Sequence, residues 1–308
     1  MPPLFLSIYA AARRLPLLLA AALLLCLPVR AGMAADWDAG QDEPLPPDSL
    51  LASWLTLEPG LDFHIFALDE QHTRQLIVLR IDPKRFAFRL FSVSEYGGRP
   101  RSLRQWGHRH KLTAVINASM YLPDHRTSTG YLRQDNHSNN GRIVRSYGSI
   151  FLAEPMRPTL PLAQLCDKEV SPCRERVEDY HCVVQNFRIL NDQRQIVWSA
   201  FTKPVAISAV GKDAQGRILF LHCREAIAVR EFARQLLALP LDIRATMYVE
   251  GGAQAGLFVQ TPRLTHLWGG RHAADFLTSV AIHAPLPNVL GIIPRTSASE
   301  TLENPPKP

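Results

Sequence analysis

The stretch AVREFARQLLALPLDIRATMYVEGG, residues 228–252, contains the clearest structural pattern in the sequence. Apolar residues recur at helical spacing over residues 228–239, and Pro240 ends that pattern. The run TMYVE at residues 246–250 is typical of a buried strand, and two glycines follow it directly. This stretch therefore predicts one amphipathic helix and then a strand that ends in a carboxylate.

Short apolar runs separated by turn residues make up the rest of the chain, without an internal repeat or a second long helical pattern. A brief helix is expected at residues 103–110. Strands are predicted at residues 61–66, 75–81, 86–93, 112–116, 148–152, 183–190, 205–210 and 217–222. This proportion of strand to helix predicts the α+β class, with mixed β-sheets and few helices in a single domain over residues 49–295.

The first residues have the order of a secretory signal peptide: two arginines, the apolar run LPLLLAAALLLCLP at residues 15–28, and small residues before Ala35. The apolar run is shorter than the roughly 20 residues of a membrane-spanning helix, so an uncleaved anchor is the weaker alternative. Cys26 lies inside that run, which argues against a lipid anchor. We predict a signal peptide over residues 1–34 and no stable membrane anchor after its cleavage.

An acidic, proline-rich composition predicts that residues 35–48 form a flexible leader, and residues 296–308 are predicted to be a disordered tail. Signal cleavage removes three arginines and no acidic residue, which lowers the formal net charge from +6 to +3. The remaining basic residues are scattered, so nucleic-acid binding is not predicted. Arginine outnumbers lysine, which favours a GC-rich bacterial source and therefore a periplasmic or secreted location.

Four cysteines follow the predicted signal peptide: Cys166, Cys173, Cys182 and Cys223. An even number of cysteines in an exported chain predicts two disulfides, for which three pairings are possible. Cys182 opens one predicted strand and Cys223 closes another, so we predict the pairs Cys182–Cys223 and Cys166–Cys173. The spacing lacks the close cysteine pairs of a structural zinc site, and neither a metal nor another cofactor is predicted.

Polar residues follow three of the predicted apolar strands directly. Asn117 and Glu250 each stand at the end of one strand, and His222 and Arg224 stand at the end of a third. Because strand ends present side chains from a rigid scaffold, these residues predict one shared cleft. Each also has a structural explanation: a turn cap for Asn117, a ligand of turn amides for Glu250, a surface ion pair for Arg224 and a core position for His222.

Four segments, in the expected order, resemble motifs of the phosphodiester glycosidase family. An asparagine-glycine-glycine-aromatic motif is similar to residues 117–121 (NASMY), and a further family glycine is similar to Gly130. A threonine-alanine-isoleucine-glycine turn resembles residues 208–211 (SAVG), and an aspartate-glycine-glycine-glycine-serine motif resembles residues 250–254 (EGGAQ). The resemblance extends over residues 112–294 and is strongest to a bacterial branch formerly described as a domain of unknown function.

This resemblance implies an exported hydrolase that cleaves a glycosyl-phosphodiester or a related envelope glycan bond. Cleavage at an anomeric carbon requires a carboxylate as acid or base and groups that hold the phosphate. The implied catalytic residues are Glu250, Asn117 and Arg224. The implied substrate-binding residues are Tyr121, Thr129, Gly130, Ser208, His222, Gly251 and Gly252.

The sequence departs from the family motifs at three positions. Ile207 stands in place of an arginine, Ser208 in place of a threonine, and Glu250 in place of an aspartate. The missing arginine would clamp a phosphate through two hydrogen bonds, a role that Arg224 or Lys203 could take over. The alternative hypothesis is therefore a non-catalytic periplasmic module that binds a glycan or a phosphate ester.

Overall fold

Antiparallel strands dominate the computed structural model, which describes residues 53–169, 175–198, 203–270 and 284–295. The strands are β1 (Leu55–Glu58), β2 (Leu61–Ala67), β3 (Gln75–Ile81), β4 (Phe86–Ser92), β5 (Ala114–Asn117), β6 (Leu132–Gln134), β7 (His137–Asn140), β8 (Ser149–Pro155), β9 (Ala163–Asp167), β10 (Tyr180–Asn186), β11 (Arg188–Leu190), β12 (Val205–Asp213), β13 (Ile218–Ile227), β14 (Ile243–Gly251), β15 (Gly256–Thr261), β16 (Leu264–Gly269) and β17 (Asn288–Pro294). The helices are α1 (Val93–Tyr96), α2 (Leu103–His110) and α3 (Val229–Ala238).

These strands form three sheets. The first has seven strands in the order β1-β2-β3-β13-β12-β14-β11. The second has five, β7-β6-β10-β8-β9, and the third has five, β16-β15-β5-β17-β4. The candidate residues thus lie on β12, β13 and β14 of the first sheet and on β5 of the third. Asn117 and Glu250 stand at strand ends as predicted, whereas β13 continues to Ile227, so His222 and Arg224 lie inside that strand.

One apolar cluster is shared by all three sheets. It includes Phe220 of the first sheet, Phe151 of the second, and Phe88 and Ile116 of the third. The ring of Phe88 lies 5.4 Å from that of Phe151 and 6.2 Å from that of Phe220. Because burial of this surface requires all three sheets together, the hydrophobic effect fixes their mutual packing and the position of the strand ends.

Helix α3 covers the other face of the first sheet. Its buried side chains, among them Phe232 and Leu236, pack with Ile207 of β12 and Cys223 of β13. The central strands of the first sheet are consequently buried on both faces, which explains why their sequences are almost continuously apolar. The helix predicted from residues 228–239 is confirmed and is one residue shorter at each end.

Helix α2 begins with a capping box. The Ser102 side chain accepts a hydrogen bond from the Gln105 backbone N–H, and the Gln105 side chain accepts one from the Ser102 backbone. The helix packs on β15 at Gly107, where a Cβ atom would overlap the ring of Phe258. Glycine at this position therefore sets the distance between the helix and the third sheet.

The predicted fold class needs two corrections. The sheets are antiparallel in every pairing among the described residues and are not mixed. The structure is also mostly β-sheet, so the α+β class is only an approximate description. Most predicted strands are confirmed with small boundary shifts. Two differ more: residues 183–190 divide between β10 of the second sheet and β11 of the first, and β13 runs five residues beyond the predicted end at residue 222. The sequence patterns predicted no strand at β1, β6, β7, β9, β15, β16 or β17.

The predicted disulfide between Cys182 and Cys223 is wrong, because both side chains are buried free thiols. Cys182 belongs to the apolar cluster shared by the sheets, whereas Cys223 belongs to the cluster beneath α3. The first sheet therefore separates the two sulfurs. Cys173 lies outside the described residues, and the Cys166–Cys173 pair stays a prediction.

The predicted signal peptide, the leader at residues 35–48 and the tail at residues 296–308 also lie outside the described residues. The residues that are described belong to one compact unit, Trp37–Pro308. None of the described helices has the length and apolar character needed to cross a membrane.

Candidate functional site

Three neighbouring strands of the first sheet bring polar residues into one row. Ser208 on β12 lies opposite both His222 on β13 and Glu250 on β14. The register shifts between Ser208 and the next residue of β12, so that β14 contains one extra residue, Val249, just before Glu250. Such bulges bend a strand and redirect its side chains, and they are common beside active sites.

Asn117 and Ser208 hold the backbone of Gly256 from two sides. The Gly256 N–H donates to Asn117 Oδ1 at 2.9 Å and to Ser208 Oγ at 2.8 Å. Asn117 Nδ2 donates to the Gln254 carbonyl at 2.8 Å. This group, which we call the Gly256 anchor, connects the end of β5 and the interior of β12 to the start of β15. Both polar groups of Asn117 are thus occupied by backbone groups that are 137 and 139 residues away in sequence, and not by the turn that follows Asn117.

His222 is completely buried behind Ser208. Its Nδ1 lies 3.1 Å from Ser208 Oγ. Burial and the positive charge of Arg224 lower the pKa of His222 to about 3, so the imidazole is neutral at physiological pH. A neutral, enclosed histidine next to Ser208 fits the core position considered for it and supports the Gly256 anchor.

Glu250 is an almost fully buried carboxyl group, with 6% of its surface exposed. Burial raises the pKa of Glu250 to about 7, although the Gly251 N–H, which donates to Glu250 Oε1 at 2.9 Å, opposes this rise. Burial, with a smaller contribution from the Glu250 charge, also raises the pKa of Tyr121 to about 12 and raises that of Tyr248. The carboxyl group therefore lies near two phenols that remain protonated.

Gln254 and the two glycines complete the surroundings of this carboxyl group. Gln254 Nε2 donates to the Tyr121 hydroxyl at 2.6 Å. The Tyr248 hydroxyl packs so closely on Gly251 that a Cβ atom there would overlap it, and Gly252 has a φ of 72°, which favours glycine. We call Glu250, Tyr121, Tyr248 and Gln254 the Glu250 site.

Arg224 makes no direct contact with Glu250. The structure gives no ion pair or hydrogen bond between these two residues, and the charge of Arg224 acts on His222. The Nε atom of Arg224 is buried without a hydrogen-bond partner within the described part of the chain. The predicted catalytic role of Arg224 stays a prediction.

Thr129 and Gly130 shape the segment that follows Tyr121. The Thr129 backbone N–H donates to the Met120 carbonyl at 3.0 Å, and the Thr129 hydroxyl does so at 3.3 Å. A Cβ atom on Gly130 would overlap the Gln185 carbonyl oxygen. Both residues therefore have structural roles, and their predicted contact with a substrate stays a prediction.

Tyr248 and Gln254 belong to the Glu250 site, although the sequence motifs assign neither a role. Tyr248 stands in an apolar strand, where an aromatic residue is typical of the core, and Gln254 occupies a position where the family has serine. The sequence signal that could identify them is their closeness to Glu250: Tyr248 precedes it by two residues, and Gln254 follows it by four. Among the described residues, no group of three or more His, Cys, Asp or Glu side chains is arranged to hold a metal ion.

Residues 110–293 match the family described as phosphodiester glycosidase. In contrast, no curated protein matches the sequence significantly.

Two solved structures are similar to the fold. One is the catalytic domain of zebrafish N-acetylglucosamine-1-phosphodiester alpha-N-acetylglucosaminidase, auto-inhibited by its pro-peptide, with a TM-score of 0.56, 13% identity, and coverage of 77% of this chain and 85% of that chain. The other is a hypothetical protein from Synechocystis, with a TM-score of 0.54, 11% identity, and coverage of 77% of this chain and 62% of that chain. At these identities the likeness shows the fold alone.

Proposed function

Because the chain belongs to the phosphodiester glycosidase family, we propose that it hydrolyses a glycosyl-phosphodiester or a related envelope glycan bond, with Glu250 as its catalytic carboxylate. The observation that carries the proposal is the environment of Glu250, a buried carboxyl group whose pKa of about 7 matches general acid-base work near neutral pH. Perturbed carboxyl groups of this kind are typical of catalytic positions.

We assign Glu250 the role of general base. A phosphate leaving group is stable without a proton, so activation of the attacking water is the step in which a carboxylate contributes most. The phenols of Tyr121 and Tyr248 keep their protons and can donate hydrogen bonds to oxygens that gain negative charge. Gln254 orients Tyr121 through its hydrogen bond to the phenol oxygen.

We further propose that the protein acts in the periplasm or after secretion. The order of arginines, apolar run and small residues over residues 1–34 supports export. Expression of the full chain in a bacterial host and N-terminal sequencing of the extracytoplasmic protein test this proposal. The mature protein is expected to begin at Ala35 or Asp36, and an intact N-terminus would contradict the cleavage.

The second candidate function is a non-catalytic module that binds a glycan or phosphate ester. One observation favours it: Ile207, which replaces the family arginine, is buried in the cluster beneath α3, and so this position offers no cation to a phosphate. Asn117 is likewise committed to the Gly256 anchor.

Turnover separates the two functions. The purified mature protein is incubated with a panel of glycosyl phosphodiesters, and release of reducing sugar is measured for the wild type, Glu250→Gln and the control Glu70→Gln, which changes an exposed turn residue. The enzyme proposal expects release that only Glu250→Gln abolishes. Saturable binding by calorimetry without release in any variant would instead identify the binding module.

A further inference from the structure

A cavity of about 370 Å³ opens beside β11, the edge strand of the first sheet. Its walls come from several separate segments and include Arg145, Ser146, Glu169, Phe187, Arg188 and Trp198. Pockets for small ligands generally measure about 300–1,000 Å³ and combine apolar walls with a few polar groups. None of these residues belongs to the Glu250 site, and no family motif in the sequence contains them.

Aromatic rings form one wall of the cavity and connect it to the Glu250 site. The rings of Phe187 and Trp198 lie 5.4 Å apart, and the ring of Trp198 lies 5.2 Å from that of Tyr248. The Tyr248 backbone N–H also donates to the Phe187 carbonyl at 2.9 Å. A ligand in the cavity is therefore separated from the Glu250 site by a single layer of side chains.

The charges around the cavity leave one cation available. Arg188 forms ion pairs with Asp167 and with Glu169, the latter at 3.0 Å, so its guanidinium is occupied and the three charges sum to −1. The ammonium of Lys168, which donates to the Arg145 carbonyl, offsets this negative charge. Arg145 is exposed, lines the same cavity and has no ion pair with any described acidic residue. A free guanidinium beside an aromatic wall favours a ligand that has an anionic group.

Trp198 contributes apolar ring surface to the cavity wall. Its Nε1 atom is shielded from solvent and has no acceptor within the described part of the chain, so this donor is out of reach of a ligand in the cavity. The cavity thus combines an apolar ring surface with a nearby cation.

On the basis of the proposed function, we propose that this cavity is an accessory subsite for a pyranose with one anionic substituent, a phosphate or a carboxylate. The apolar C–H face of the sugar ring packs on the rings of Phe187 and Trp198. Arg145 binds the anionic substituent. The subsite binds this sugar separately from the Glu250 site, on the other side of the layer that contains Trp198 and Tyr248.

Binding to Trp198 can be measured without turnover. The sequence contains five tryptophans, and comparison with Trp198→Phe identifies the indole N–H resonance of Trp198 in the ¹⁵N spectrum of the wild type. The protein is titrated separately with glucose 1-phosphate, glucuronic acid and glucose. We expect the Trp198 resonance to shift in a saturable way with both anionic sugars, and glucose to bind about tenfold more weakly, the loss of one charge-assisted contact. The two anionic arms show whether a phosphate or a carboxylate is preferred.

Two arginine variants provide the matched comparison. Arg145→Ala should weaken binding of both anionic sugars about tenfold and leave glucose binding unchanged, while Arg142→Ala, an exposed arginine nearby that does not line the cavity, should have no effect. Absence of a saturable Trp198 shift, or equal affinities of the wild type and Arg145→Ala, would overturn the subsite. Binding that persists in a protein without turnover supports the subsite and rejects the proposed enzyme. Turnover without a Trp198 shift rejects the subsite and supports the proposed enzyme.

Discussion

At Glu250, burial outweighs the favourable hydrogen bond from Gly251, and the net result is a carboxyl group that titrates near pH 7. A general base must be ionised, so kcat/KM is expected to increase as the pH rises through about 7 and then to level off. Glu250→Gln should lower kcat/KM by about 10²-fold or more and remove this pH dependence. Initial rates between about pH 5 and pH 9 test both effects. A rate that falls with rising pH over the same range would instead identify a general acid.

The same raised pKa predicts a cost in stability at high pH. The protonated form of Glu250 is favoured in the folded state, so its contribution is fully present below the ordinary value of 4.5 and is lost as the pH rises through about 7. The loss is about 3 kcal/mol by the relation between pKa shift and free energy. Urea unfolding of the wild type and Glu250→Gln at both ends of this range measures it. Equal pH dependence of the two proteins would contradict the burial of the carboxyl group.

Substitution of Asn117 is expected to affect stability more directly than catalysis. Asn117→Ala leaves the Gln254 carbonyl without its donor and weakens the hold on Gly256, which should lower the free energy of unfolding by about 1–3 kcal/mol. Asn136→Ala, at an exposed turn position, is the control and should change it little. Denaturant midpoints provide the comparison. Unchanged stability together with lost turnover would restore the catalytic assignment of Asn117.

At the scale of elements, a clear apolar pattern predicts a strand, although burial alone does not, because β15 and β17 are largely buried and were not predicted. The QLIVLRI run of β3 is almost continuously buried, and its apolar pattern is correspondingly clear. Strand β7, with the sequence HSNN, lies at a sheet edge with no buried residue, so its side chains contain no periodic signal. Strand β6 is hard to predict for a different reason: it contains a buried charged residue, Arg133, whose Nη2 donates to the carbonyls of Val177 and Tyr180, which are distant in sequence.

The sequence also predicts part of the candidate site. The apolar runs before Asn117 and Glu250 place these two residues at strand ends, whereas Ser208 and His222 lie inside β12 and β13. These residues belong to two separate groups, the Gly256 anchor and the Glu250 site, and their membership depends on the backbone groups with which they form hydrogen bonds. Those partners, such as the N–H of Gly256, are set by the pairing of strands from different sheets. Local sequence does not contain that information.

Helix capping gives a prediction at the same scale. Ser102→Ala removes the acceptor of the α2 capping box and should cost about 1 kcal/mol of stability. Helix α3 offers the reverse experiment, because its N-cap residue, Ala228, makes no side-chain cap and Glu231 already stands three residues later. Ala228→Ser should therefore stabilise the protein by about 1 kcal/mol. Thermal and urea unfolding measure both changes. Equal stabilities of wild type and Ser102→Ala would contradict the capping role.

For the whole molecule, the separation of Cys182 from Cys223 by the first sheet has a chemical consequence. Burial raises the pKa of the Cys223 thiol to about 12 and raises that of Cys182, so neither thiol should react with iodoacetamide in the native protein at neutral pH. Both should be alkylated after denaturation without reductant. Peptide mass spectrometry counts the modified cysteines. A peptide that links the two, found without prior reduction, would contradict the structure.

The position of β17 governs when this protein can finish folding. It lies between β5 and β4 in the third sheet, yet it is the last strand of the described chain, while β4 is among the first. Strands β4 and β5 are synthesised early, and the edges that pair with β17 therefore stay unpaired until β17 emerges from the ribosome. Pairings so distant in sequence are slow to form. A chain of this topology completes its third sheet only after β17 has left the ribosome.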